Sequence, residues 1–163
     1  MKPLFVPVLA GLLLALPLPA SAVCSGCSCS VSTAAVAFGA YSPLSGSPGL
    51  ATGNVSMRCT TTLGLLIDYS IDLDKGSNST SFSPRKMASG SYRLNYDLYI
   101  SAAYGSIWGD NTSGTSRITG SATLNLLSAT TVNSTVYGRI PAGQNFVPPG
   151  FYNDAVVVTI TYN

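Results

Sequence analysis

Hydrophobic and polar positions alternate along short runs instead of recurring every three to four residues, and a period of two predicts strands. Residues 31–38, 52–59 and 65–73 form the first three predicted strands, with a Pro/Gly/Ser loop over 39–49 between the first two. The polar stretch over 74–91 reads as a loop. In residues 92–99, Tyr92, Leu94, Tyr96 and Leu98 alternate with more polar neighbours until Tyr99 breaks the pattern. A turn at Trp108-Gly109-Asp110-Asn111 precedes two further strands, predicted over 117–127 and 131–140. No stretch sustains a helical apolar period. Short strands at this spacing, punctuated by Gly and Pro, predict an all-β sandwich.

The last segment is the most informative. From Gly150 onward, Tyr152, Val156, Val158, Ile160 and Tyr162 place large apolar groups on one face, and polar residues dominate the other. The sequence offers no further strand to lie beside it. A long apolar strand left unpaired is an aggregation hazard, so the expectation is that something covers it. Pairing on both sides within the same domain is the alternative.

The opposite end reads as a targeting signal. Met1-Lys2 supplies a charge, residues 4–18 are apolar, and Ala20-Ser21-Ala22 is an A-x-A cleavage site. Prolines interrupt the run, which falls short of the roughly 20 apolar residues of a membrane span. The expectation is a signal peptide over 1–22 and a mature exported domain over 23–163 that is not an integral membrane protein.

Composition narrows the function. The chain has 163 residues, enough for one domain, with 46% hydrophobic and only 9% charged residues. A net charge of +2 with no basic cluster argues against a nucleic-acid partner. There is no His, and the six acidic residues are all Asp, so the commonest general base and metal ligand are missing. No Ser has a His to activate it. The expectation is a non-enzyme without cofactors. Asp68, Asp72 and Asp74 share a strand parity and are a candidate Ca²⁺ cluster, although a solvated sheet face is the favoured reading. Trp108, Asp110 and Asn111, with Tyr104 nearby, form a candidate sugar-contacting loop, since an aromatic face stacks on a sugar while Asp and Asn bond its hydroxyls.

Four cysteines, Cys24, Cys27, Cys29 and Cys59, follow the signal. An even number in an exported protein reads as disulfides, with three pairings open. Cys24-Ser25-Gly26-Cys27 also has the spacing of a redox pair. That chemistry wants the pair opening a helix, and no helical pattern follows, so structural bridging is preferred.

Taken in order, several pieces resemble a known family, the spore coat protein U domain found in subunits of archaic chaperone–usher pili. The resemblance rests on Cys29-Ser30-Val31-Ser32, Phe38-Gly39-Ala40-Tyr41-Ser42-Pro43 and Gly53-Asn54-Val55-Ser56-Met57-Arg58-Cys59. It continues through Arg85-Lys86-Met87, Leu94-Asn95-Tyr96-Asp97-Leu98-Tyr99 and Trp108-Gly109-Asp110. Val136-Tyr137-Gly138-Arg139-Ile140-Pro141-Ala142-Gly143-Gln144 and Gly150-Phe151-Tyr152-Asn153-Asp154 complete it.

The resemblance implies an incomplete immunoglobulin-like β-sandwich lacking its last strand. It implies a subunit of a surface fibre serving adhesion and biofilm formation, partnered by a periplasmic chaperone, an outer-membrane usher and other pilin subunits. A lent strand would lie in an acceptor groove beside Gly150, Tyr152, Val156, Val158, Ile160 and Tyr162. The resemblance also implies a Cys29–Cys59 bridge, which leaves Cys24 and Cys27 as a local pair, and it makes the Trp108 turn a packed loop. Polymerising members carry an alternating apolar donor segment ahead of the first family cysteine. Here residues 23–28 are short and polar, so the expectation is a subunit that accepts a strand without passing one on. A tip-adhesin-like module that contacts sugars or surfaces, and a secreted coat protein that closes its own sandwich, are the competing functions.

Overall fold

Alternating runs become strands here because one face of each finds apolar company. The computed structural model describes residue 24 and residues 26–126 and 128–163; the expected signal peptide over 1–22 lies outside them. Among the described residues, eight strands follow in chain order: β1 (Cys27–Ala34), β2 (Gly49–Thr61), β3 (Leu65–Leu73), β4 (Arg85–Ser89), β5 (Tyr92–Tyr99), β6 (Ile118–Leu124), β7 (Thr130–Ile140) and β8 (Val158–Tyr162). No helix among the described residues is long and apolar enough to cross a membrane.

The strands form two antiparallel sheets. One has the order β1-β2-β7-β5-β4, the other β6-β3-β8. Their inner faces close on a buried core. Val55 and Val136 meet Ile71, Leu94, Trp108 and Ile140 in one cluster, and Met57 and Cys59 meet Ile67, Ala122 and Leu124 in a second. The larger cluster lies toward the groove described below, and the smaller toward the cysteine end.

Two predicted strands, 65–73 and 92–99, have the bounds observed for β3 and β5. The first strand is displaced: β1 starts at Cys27 and ends at Ala34, where residues 35–38 leave the ladder. β4 falls inside the stretch expected to be a loop. Its inward positions are Arg85 and Met87, both buried, and an inward arginine hides an apolar alternation. Gly90, at a φ of +57°, makes the tight turn that pairs Ser89 with Tyr92.

The last strand is shorter than its pattern. Residues 151–163 alternate between exposed and half-buried throughout, yet only Val158–Tyr162 ladder with β3. Upstream, the backbone bonds to the loop after β3 and to Ala88 instead. β8 has β3 on one side and no strand on the other among the described residues.

Candidate functional site

Beside that free edge runs an apolar groove of about 640 Å³. One wall is the segment 151–158. The other is the segment 33–41, in which Thr33 and Ala34 end β1 and residues 35–41 continue it as a strap that has left β2. Val55, Leu73, Leu94, Leu98 and Val136 lie at the floor, drawn from both sheets.

The strap crosses the inner face of the five-stranded sheet through two gaps in the side-chain layer. A Cβ on Gly53 would stand 2.8 Å from Val36 Cγ2, and one on Gly138 would stand 2.6 Å from Phe38 Cζ. Glycine within a strand marks such a close approach. Val36 and Phe38 are thereby half-buried on the core, and Phe38 meets Tyr96 edge to face with centroids 6.2 Å apart. Among the described residues, no backbone hydrogen bond involves residues 35–40 outside the strand ladders.

The ladder phase decides what the facing wall offers. Asp74 N donates to Val157 O and Asn163 N to Asp68 O, so the odd-numbered residues of β8 bond to β3. In an antiparallel pair the intervening residues turn their N–H and C=O the other way. The peptide groups of Val158, Ile160 and Tyr162 therefore point to the open edge. Buried peptide groups normally find partners, and a free sheet edge templates another strand.

Two aspartates tie this wall to the loop after β3 and to β5. Asp74 Oδ1 accepts from Gly76 N at 2.9 Å and from Val157 N at 2.9 Å. Asp154 Oδ1 accepts from Ser77 N, Asn78 N and Asn78 Nδ2, and Asp154 Oδ2 accepts from the Tyr96 hydroxyl at 2.7 Å. Burial, reinforced by that bond and by the Asp154 charge, pushes the Tyr96 phenol far above its ordinary range. It stays a neutral donor.

Beneath them Arg85 is wholly buried. Its guanidinium donates to Asp74 O through Nε at 3.0 Å and Nη2 at 2.8 Å, to Trp108 O at 2.6 Å, and to Phe82 O at 3.3 Å. Burial lowers its pKa, partly offset by Tyr96 and by Asp97, Asp74 and Asp154. Asp97, also buried, accepts from Ser83 Oγ and from Arg85 N; burial raises its pKa while those bonds and the Arg85 charge oppose the shift.

Of the expected acceptor residues, Tyr152, Val156 and Val158 line the groove. Gly150 closes one end, bridged to Tyr41. Ile160 and Tyr162 lie beyond the groove lining; Tyr162 packs against the Met57 cluster and Ile160 against both clusters, so the expected wall divides into two parts. The strap, with Val36 and Phe38, and the recesses at Gly53 and Gly138 were not foreseen; glycines interrupting two strand patterns were the available signal.

Cys29 and Cys59 are joined across β1 and β2, and Cys24 is joined to Cys27. Trp108 has no exposed surface and its indole N–H donates to Ile71 O at 2.9 Å. That corrects its candidacy as a sugar platform, since burial leaves no ring face for a ligand. Asp110 accepts from Thr112 N and Oγ1, and Asn111 takes a left-handed φ of +68°, so both build the turn. The three aspartates do not converge either. Asp68 accepts from Ser121, Asp72 pairs with Arg117 at 2.9 Å, and Asp74 serves the wall. Among the described residues no cluster is arranged to hold a metal.

Two antiparallel sheets, with the free edge of β8 beside an apolar groove, define a pilin-like, incomplete immunoglobulin-type sandwich. The Spore Coat Protein U domain matches residues 18–159, and the chain belongs to that family. Protein U of Myxococcus xanthus is 37% identical over 150 residues, spanning 84% of this chain and 79% of that protein. The fold also matches a crystal structure of the CsuC–CsuE chaperone–tip adhesion subunit pre-assembly complex from archaic chaperone–usher Csu pili of Acinetobacter baumannii. The TM-score is 0.55 at 23% identity, over 83% of this chain and 39% of that one.

Proposed function

We propose that this chain is an exported subunit of a chaperone–usher type surface fibre that works by accepting a β-strand. A periplasmic chaperone lends the strand first, and a neighbouring subunit replaces it after transfer at an outer-membrane usher. The observation that carries this reading is the unpaired edge of β8 beside an apolar groove. Membership of the Spore Coat Protein U family supports it, as do two disulfides suited to an oxidising compartment. The similar structure is itself a chaperone with a subunit. A chain without His offers little for catalysis, and nothing in this mechanism makes or breaks a covalent bond.

Side chains supply most of the affinity in such a contact. Each Val- or Leu-sized group buried by the incoming strand contributes about 1.5–3 kcal/mol, whereas a backbone hydrogen bond exchanged with water nets about 1 kcal/mol. Main-chain bonds fix the geometry and pockets select the sequence.

Periplasmic co-purification of the tagged chain, with and without a co-expressed chaperone of the chaperone–usher class, tests the reading. A one-to-one complex is expected, weakened by Val156→Lys, with the lone chain degraded or aggregated. A lone chain that is monomeric, cooperatively folded and indifferent to the chaperone would overturn it.

A further inference from the structure

The groove has one closed end. Tyr41 N donates to Gly150 O at 2.7 Å and Gly150 N donates to Tyr41 O at 3.1 Å, so the antiparallel walls are clasped there. From this clasp they run apart, and no other backbone bond joins 35–40 to 151–158. We propose that the Tyr41–Gly150 clasp is the register stop of the groove. It stays shut when a strand enters and fixes which residue of that strand meets each position of the wall. The inference rests on the strand-accepting reading above, and the occupant is an extended segment of another polypeptide with alternating apolar side chains.

An apolar groove alone sets register poorly. Side chains on a strand repeat every two residues, so a slip of two returns an apolar group to every pocket. Val156 and Val158, two successive inward groups of the wall, are identical and do not distinguish a slip of two between them. A fixed end does, because a strand that abuts it cannot advance by two.

The clasp is also anchored to the rigid sheet. The Tyr41 hydroxyl donates to Gln144 O at 3.2 Å. The Gln144 side chain pairs with the backbone of Asn95 in β5 like a short strand, accepting from Asn95 N at 2.8 Å and donating to Asn95 O at 2.9 Å. On the facing wall, Tyr152 OH donates to Pro148 O at 2.7 Å, and its ring meets that of Tyr41 edge to face at 6.3 Å. Backbone, side-chain and aromatic contacts thus converge on one end, while the Ile160–Tyr162 end has no bridge.

The test uses an alternating Val/Thr peptide carrying a single benzophenone group, photo-crosslinked to the folded oxidised chain and mapped by mass spectrometry. The wild type is expected to give one crosslinked wall position, moving by two residues when the probe moves by two along the peptide. Tyr41→Pro, which removes the N–H donated to Gly150, and Gln144→Ala, which frees the anchor, are each expected to spread crosslinks over positions two residues apart. Hydrogen exchange on the wild type is a second readout that needs no variant to fold. The Tyr41 and Gly150 amides are expected to stay protected while those of Val158, Ile160 and Tyr162 gain protection. Spread registers in the wild type, or loss of Tyr41 and Gly150 protection on binding, would overturn the stop and leave the groove standing. A peptide that crosslinks to neither wall would refute strand acceptance, and the stop with it.

Discussion

The ring of Phe38 rests on the bare backbone of Gly138, in the space a side chain there would fill. This contact seats the strap on the core and keeps a wall on that side of the groove. Gly138→Val overpacks it and is expected to cost about 1–3 kcal/mol. Urea denaturation followed by fluorescence of Trp108, the only tryptophan in the chain, measures the loss. Adding Phe38→Ala should recover part of it; strictly additive effects would show that the two residues do not interact.

Arg85 holds carbonyls of three separate segments together, at Asp74, Phe82 and Trp108. Arg85→Leu keeps much of the bulk and strands those acceptors in the core. The expected cost is at least about 3 kcal/mol. Arg85→Lys cannot reproduce the planar fork and should recover little. Equal stability of wild type and Arg85→Leu would mean that the carbonyls find other partners.

Asp97 makes stability depend on pH with an unusual sign. Burial raises its pKa in the folded chain, so the native state holds the proton more tightly than the unfolded chain does. The stability it contributes is complete below the ordinary carboxylate pKa and is lost as pH rises through the raised one. Asp97→Asn should flatten this part of the profile, so that the variant gains on the wild type as pH increases from the acid side. Unfolding free energies of both proteins across that range provide the check.

The two disulfides should differ in weight. Cys29–Cys59 closes a separation of 30 residues and Cys24–Cys27 one of 3. On the chain-entropy account, removing the first pair with serines costs roughly 3–4 kcal/mol and removing the second about 2 kcal/mol or less. Melting both double variants beside the wild type tests the order.

Much of this architecture is legible in the sequence where side chains alone decide it. β3 and β5 carry clean alternation, and the half-buried face of 152–162 is visible residue by residue. What stays hidden depends on partners far away in the chain. β4 is masked because Arg85 looks like a surface residue until carbonyls from three segments surround it. The strap is masked because Val36 and Phe38 alternate like any strand, and only the absence of side chains at Gly53 and Gly138 turns that stretch onto the core. Trp108 shows the reverse case: an aromatic beside Gly-Asp-Asn looks like a binding loop, but the Ile71 carbonyl and the core claim it. Tyr162 shares the pattern of Val158 yet packs against the smaller cluster, and Ile160 touches both, a division that periodicity does not encode.

Strict alternation along residues 156–163 separates two sets of side chains on one strand. Val156, Val158, Ile160 and Tyr162 are half-buried, whereas Val157, Thr159, Thr161 and Asn163 face solvent. The outward set can be rewritten while the inward set is left untouched. Thr159 and Thr161 are therefore sites where a fluorophore, a tether or a grafted charge can ride on the strand and report on its neighbour without entering the groove.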